Sequence, residues 1–490
     1  MGHSSALPIN VNPIKFGTDG WRGIIGADFT FDRVALVAPV AARVLAKVYG
    51  SGTGNRKIIV GYDRRFMAET FARKAAEVVS AAGFEVLLSE TYAPTPAFSL
   101  AAKQLNALGA IVMTASHNPA PYLGLKVKGA FGGSVSPEVT KQIEELLKNE
   151  TVETTQQGKE NTSLTMFDPW PNYCETLRAK VDIENIQAAI AQNKITVFAD
   201  VMHGAAATGL ERILGLPIRE INSDRDPLFD GGAPEPLPKY LSQLFRVIRT
   251  HYRTQKASLA VGFVFDGDSD RIAAVDGQGN FLSSQTLIPI LIEHLAKQRG
   301  YKGEVVKTVS GSDLMPRVAS FYNLPLFETA VGYKYIADRM LEREVLIGGE
   351  ESGGIGYGTH IPERDALLSA LYLLEAVVRS GVDLGKIYQN LQQKTNFYSA
   401  YDRIDLPLAN MAVRDRLLSQ LQSKPLTEIA GHSVVDCNQI DGYKFRLDDG
   451  SWLMVRFSGT EPVLRLYCEA ATIEEVYQRL NWAKDWANSI

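Results

Sequence analysis

Gly109-Ala-Ile-Val-Met-Thr-Ala-Ser-His-Asn-Pro119 is the stretch on which the reading of this chain turns. Residues 110–113 form an apolar run of the kind a buried strand needs, and the run stops abruptly at small and polar side chains. Pro119 and Pro121 forbid a regular helix straight after it. The sequence therefore predicts a stiff loop at the carboxyl end of a strand, with the Ser116 hydroxyl beside His117. Open parallel sheets bind ligands at that edge. Taken alone, the loop reads equally well as a solvated turn with an ordinary serine, so its neighbours decide.

Upstream, a helical pattern covers 32–48, with Pro39 as a kink or a late start. A strand at 57–60 ends in Gly61-Tyr-Asp-Arg-Arg65, then come a helix over 67–82, a strand over 84–88 and a turn at Pro94-Thr-Pro96. Such alternation predicts a parallel α/β layer. Earlier still, Ile14-Lys-Phe-Gly-Thr-Asp-Gly-Trp-Arg-Gly23 sets glycines among charges, and Arg22 could grip a phosphate in a fork, a structural turn being the rival. Downstream, Lys126 is either a solvated charge or, near a phosphate, a proton donor or clamp. The polar stretch 149–163 reads as a surface segment or domain boundary.

The plan recurs. An apolar strand over 258–265 delivers Asp266-Gly-Asp-Ser-Asp-Arg271, and one over 345–347 delivers Gly348-Gly-Glu-Glu-Ser-Gly-Gly354. A helix over 366–380 follows, then a linker over 382–394 expected to be the hinge of the last module. That module differs: strands at 452–457 and 463–468 flank Ser458-Gly-Thr-Glu-Pro462, and Thr472 with Glu475 makes a capping box for a final helix. The expected fold is α/β: three similar mixed α/β domains (1–160, 161–277, 278–385) plus a C-terminal α+β domain (386–490), around a central active-site cleft.

The length of 490 residues demands several cores. A net charge of −4 gives no general attraction to nucleic acid or anionic membrane, so any anion site must be built locally. Three scattered cysteines without a CxxC pair argue against a zinc ribbon or disulfide framework. With no signal peptide or membrane-length apolar run, a cytoplasmic monomer or homodimer is expected, without nucleic-acid or membrane partners.

Asp266, Asp268 and Asp270 alternate, so an extended loop can converge their carboxylates on one hard cation, Mg²⁺ in character. An EF-hand fails, because Arg271 and Gly277 stand where Gly and Glu are required. A haloacid-dehalogenase-type phosphatase would leave the Ser116 and Glu350 loops without work, and an alkaline-phosphatase-like hydrolase would need a richer His and Asp cluster than seven scattered histidines supply. Glu350 and Ser352 offer acceptors for vicinal hydroxyls. Arg456, Ser458, Gly459 and Thr460 have the composition of a phosphate cradle, a plain hairpin turn being the rival.

In matching order, Phe16-Gly-Thr-Asp-Gly20, Thr114-Ala-Ser-His-Asn-Pro119, Asp266-Gly-Asp-Ser-Asp-Arg271, Gly349-Glu-Glu-Ser-Gly353 and Arg456-Phe-Ser-Gly-Thr460 resemble the α-D-phosphohexomutase superfamily. The resemblance implies that Ser116 is a phosphoserine, with one of its oxygens joining Asp266, Asp268 and Asp270 on Mg²⁺. It implies that Glu350, Ser352 and Lys334 meet the sugar, and that Arg456, Ser458, Gly459 and Thr460 hold the idle phosphate. Arg22, His117, Lys126 and Arg271 would surround the reacting phosphate, Lys126 as general acid/base. The implied activity interconverts hexose 1-phosphate and 6-phosphate, of glucose or mannose, through a 1,6-bisphosphate, which could also serve as an activator. The alternative is a glucose-1,6-bisphosphate synthase charged by another phosphorylated donor. Three positions depart from the family pattern: Gly354 stands where some relatives carry histidine, Arg364-Asp365-Ala366 where many have Lys-Asp-Gly or Arg-Asp-Gly, and Gly459 where some have asparagine.

Overall fold

The computed structural model describes residues 13–17, 19–50, 55–148, 164–255, 258–458 and 462–489. The polar stretch 149–163, Gly459 and Thr460 lie outside the described residues. Four sheets follow one another along the chain, with seven, five, four and six strands. In the first, Lys57–Tyr62, Glu85–Ser89 and Gly109–Met113 run parallel, as expected from the alternating pattern. Tyr122–Gly129 then returns antiparallel beside Gly109–Met113, so Lys126 pairs with Val112 and comes back to the serine's own strand. The second and third sheets repeat the mixed plan: Leu259–Phe265 lies parallel to Ile195–Asp200, and Glu304–Thr308 lies parallel to Val345–Gly349. The last sheet, built from 400 onward, is antiparallel where Ala400–Pro407, Trp452–Phe457 and Val463–Ala470 pair, and Ile473–Asn488 packs on it with the expected capping box at Thr472 and Glu475.

Three expectations need correction. Pro94-Thr-Pro96 is the start of a helix, Thr95–Gln104, because proline is tolerated in a first turn where its missing N–H has no partner to lose. Pro39 lies within one unbroken helix, Phe31–Tyr49, which starts where the Thr30 side chain accepts from the Arg33 N–H. The supposed linker over 382–394 is a helix, Leu384–Thr395, capped by Asp383, with Leu384, Ile387 and Leu391 buried. It packs on Ser284–Glu293 and Leu314–Phe321. Sheet membership also crosses the expected boundaries: Leu164–Phe167 completes the first sheet and Phe281–Leu282 the second.

One apolar core runs through the first three units, from Ile59 and Phe98 through Trp170 and Phe263 to Leu371 and Leu391. The last unit has a core of its own, and among the described residues its apolar contact with the third is a small cluster of Val309, Trp452, Met454 and Tyr467. No helix among the described residues is long and apolar enough to cross a membrane.

Candidate active site

Ser116 sits where the sequence puts it, just past the buried strand Gly109–Met113, and is 1% exposed. Its φ of 52° is left-handed, a conformation that costs a non-glycine residue energy. The loop holds it there. The Ser116 N–H donates to Thr114 Oγ1 (2.9 Å). Arg65, at the end of the next strand, donates to the carbonyls of Ser116 (2.6 Å), Pro119 (3.2 Å), Tyr122 (3.1 Å) and Asn118.

The Ser116 hydroxyl donates to Asp266 Oδ2 (2.8 Å), and His117 Nδ1 lies 3.4 Å from it. Asp266, Asp268 and Asp270 are fully buried and within reach of one cation. Asp266 has both oxygens committed to protein donors, Asp268 and Asp270 one each. Asp266 Oδ1 accepts from the N–H groups of Asp270 and Arg271, Asp268 Oδ2 from Thr95 and Lys126, and Asp270 Oδ2 from Lys126 and Arg364. Asp268 Oδ1 and Asp270 Oδ1 are buried with no hydrogen-bond partner. Uncompensated buried carboxylate oxygens are costly, and a hard cation with carboxylate ligands is what they fit. Burial, then Asp270 and Asp268, push the Asp266 carboxyl well above the usual carboxylate range, the signature of a site with more negative charge than it can hold alone.

Positive charge is arranged around this cluster. Lys126 Nζ lies 2.7 Å from Asp19 and Asp268 and 2.9 Å from Asp270, and although burial opposes its charge, these carboxylates raise its pKa. It is therefore held as an ammonium. Burial, then Arg271 and Arg22, push His117 far below its ordinary pKa, so its imidazole is neutral.

A cavity of about 670 Å³ opens above this floor. Among the described residues, eight cationic side chains line it (Lys15, Arg22, Arg271, Lys334, Arg364, Arg403, Arg456 and Arg465) against five carboxylates. Arg22 and Arg271 gather at His117, whereas Arg403, Arg456 and Arg465 act together on Tyr467. Glu350 and Ser352 face the cavity between them in sequence, the Ser352 hydroxyl donating to Glu350 Oε1 at 2.7 Å. Lys334 lies over the Tyr335 ring at 4.7 Å, and Arg456 Nε donates to Asp441 at 2.9 Å. Ser458 is tied down by its backbone, its N–H to Val463 and its carbonyl to Arg414.

Sequence reasoning missed Asp19, Arg65, Thr95 and Arg364 as members of this cluster. Asp19 and Arg65 stand within stretches that the sequence already marked, at a glycine-rich turn and a strand end. Arg364 and Thr95 join through contacts between units; Arg364 stood in a stretch set against the family pattern, whereas nothing local in the sequence marked Thr95.

A buried hydroxyl over a carboxylate trio, in a cleft walled by guanidinium groups inside a net acidic chain, is the arrangement of an enzyme that moves phosphoryl groups on anionic substrates. Family models agree along most of the chain: phosphoglucomutase/phosphomannomutase alpha/beta/alpha domains I, II and III match residues 13–154, 171–279 and 283–395, and the C-terminal domain matches 408–480. The phosphoglucosamine/phosphogalactosamine mutase of Sulfurisphaera tokodaii is 31% identical over 460 residues, 93% of this chain and 95% of that one. The phosphoglucomutase/phosphomannomutase of Thermococcus kodakarensis is 28% identical over 95% of this chain and 96% of its own. A crystal structure of a putative phosphomannomutase from Thermus thermophilus, 31% identical, superimposes with a TM-score of 0.83 over 98% of this chain and 100% of that one. The chain belongs to the α-D-phosphohexomutase superfamily. It is an enzyme of the phosphohexomutase type, with sugar phosphates as the substrate class.

Proposed function

We propose that the protein interconverts hexose 1-phosphate and hexose 6-phosphate, of glucose or mannose, with Ser116 as phosphoryl carrier. The observation that carries this reading is the pairing of a buried serine hydroxyl with two separate groups of cations in one cavity. A hexose monophosphate can rest its phosphate on Arg403, Arg456 and Arg465 while its free hydroxyl faces the serine between Arg22 and Arg271. In the cycle, the bond from Ser116 Oγ to phosphorus breaks and one from phosphorus to the sugar hydroxyl forms, giving a 1,6-bisphosphate. The bisphosphate turns over, and its other phosphoryl group returns to Ser116. Asp266, Asp268 and Asp270, with a Ser116 phosphate oxygen, would hold Mg²⁺, which neutralises charge on the phosphoryl oxygens. Lys126 enters this cycle charged and so acts first as a proton donor. His117 enters neutral, as a hydrogen-bonding partner of the Ser116 hydroxyl. Glu350 and Ser352 accept from sugar hydroxyls.

The same two cationic groups favour a second reading. A cavity able to grip both ends of a bisphosphate can also take one as donor, or release one as product. The enzyme would then be a glucose-1,6-bisphosphate synthase, its serine recharged by another phosphorylated sugar. Phosphorus NMR with Mg²⁺ and glucose, mannose or glucosamine phosphates, with and without bisphosphate donors, separates the two. Isomerised monophosphate supports the mutase and accumulating bisphosphate the synthase. Full activity of Ser116→Ala would overturn both.

A further inference from the structure

Arg364 lies at a point where three loops from three sheets meet. It is 6% exposed. One amino group, Nη2, donates to Asp270 Oδ2 (2.6 Å) on the carboxylate loop and to Asp19 Oδ2 (2.7 Å) on the N-terminal glycine-rich turn. The other, Nη1, reaches Glu350 Oε1 (3.4 Å) on the loop with the hydroxyl acceptors. The guanidinium also lies over the Tyr333 ring at 5.4 Å. By taking Asp270 Oδ2, it leaves Asp270 Oδ1 as the uncommitted oxygen of that carboxylate. Its path runs directly over Gly354. A methyl group at 354 would overlap Arg364 Cδ and come within 3.1 Å of Glu350 Oε1. The backbone of Gly354 cannot retreat, because its carbonyl accepts from the Glu350 N–H (3.0 Å) and it bridges to Arg271.

We propose that Gly354 and Arg364 form a positioning pair that couples cation binding at Asp270 to the placement of Glu350 against the sugar. The inference rests on the phosphohexomutase reading of the site. Arg364 fixes which oxygen of Asp270 faces the cation and which way Glu350 Oε1 points, so each event favours the other. Gly354 provides the space through which the arginine reaches. A planar guanidinium offers its donors in a fixed fork, whereas the donors of an ammonium rotate. Groups of this kind behind a ligand carboxylate are worth about ten- to a hundredfold in metal affinity.

Calorimetric titration of Mg²⁺ into the unphosphorylated protein, with and without saturating glucose 6-phosphate, reads the coupling directly. The wild-type protein should bind Mg²⁺ severalfold more tightly with the sugar phosphate present. Arg364→Ala and Gly354→Ala should bring that ratio close to one and raise the sugar-phosphate KM more than they lower kcat. Arg364→Lys should keep part of it. Gly354→Ala keeps the guanidinium charge in the site and disturbs only its path, so it tests the placement of the arginine separately from its charge. An unchanged ratio and KM in Gly354→Ala and Arg364→Ala, or no coupling in the wild type, would overturn the pairing while leaving the phosphoserine reading intact. Ser116→Ala tests that reading separately, by activity.

Discussion

Ser116 stands at φ = 52°, where a side chain is strained by about 1–3 kcal/mol, so something must over-determine it. Arg65 does, by spreading one guanidinium over four carbonyls of the loop. Lysine has the charge but not the planar fork, and it cannot reach all four. Arg65→Lys should therefore lower kcat by about a hundredfold through a displaced serine. The KM for sugar phosphate should stay within a few-fold, which steady-state kinetics will show. Behind Arg65 lies Asp63, fully buried and 3.5 Å from the guanidinium. Burial, opposed by Arg65, raises its pKa to about 6. A carboxyl whose folded pKa lies above its unfolded value binds its proton more tightly in the folded state. Its ionisation thus opposes folding, an effect absent below about pH 4 and complete above about pH 6. Urea unfolding should show stability falling across that window by up to about 3 kcal/mol from this group. Asp63→Asn should remove that part of the slope; an identical pH dependence in the variant would show that Asp63 is already ionised at pH 4.

At the scale of elements, strands were legible wherever an apolar run met a polar stop, as at Gly109–Met113, Leu259–Phe265 and Val345–Gly349. Each of these delivers a loop to the cleft, so the places of Ser116, Asp266 and Glu350 at strand ends followed from pattern, while their roles rested on the family resemblance. Helices hidden behind punctuation were not legible: proline at Thr95–Gln104 imitates a turn, and the polar face of Leu384–Thr395 imitates a linker. In the second case the signal existed, since Leu384, Ile387 and Leu391 keep helical spacing after an Asp383 cap. Contacts between elements were the true limit. Gly354 departs from the family pattern and Arg364 stands ten residues on, beside a second departure at Ala366, and only the fold brings the two side by side. The same holds for Gly267, which lets the carboxylate loop back onto the serine loop: a methyl there would overlap the Ser116 carbonyl oxygen. Gly267→Ala should thus push the two loops apart and lower kcat by about tenfold or more. The thermal midpoint should move little, because the loop edge lies outside the apolar cores. A kcat near that of the wild type would mean that the loops do not need this approach.

The whole molecule divides mechanically where its cores divide. The first three units share one apolar core, whereas the last has its own and touches the third through a small cluster. Since Leu384–Thr395 belongs to the third unit, the connection to the last unit is the four residues between Thr395 and Ala400, beginning at Asn396 with φ = 49°. What fastens the last unit beside that point is polar. Glu469, 1% exposed, accepts from the hydroxyls of Ser312 and Ser399, from the Asp313 N–H (2.8 Å) and from Trp452 Nε1 (2.7 Å). One buried carboxylate thus joins the third unit, the connection and the last unit, and removing it leaves several buried donors unpaired. Glu469→Ala should destabilise this junction by about 1–3 kcal/mol for each buried donor it leaves unpaired. Glu469→Gln should cost less, because the serine hydroxyls can turn to accept from the amide while its oxygen still serves Asp313 and Trp452. Since Arg456 and Arg465 ride on the last unit, a loosened junction should raise the sugar-phosphate KM and speed proteolysis between residues 396 and 399. Phosphorylation of Ser116, read by intact mass, should be unaffected, because every group around that serine comes from the first three units. Unchanged proteolysis and KM in Glu469→Ala would mean that the last unit is held by its other contacts, the apolar cluster and the pairs of Lys444 and Arg446 with Asp313.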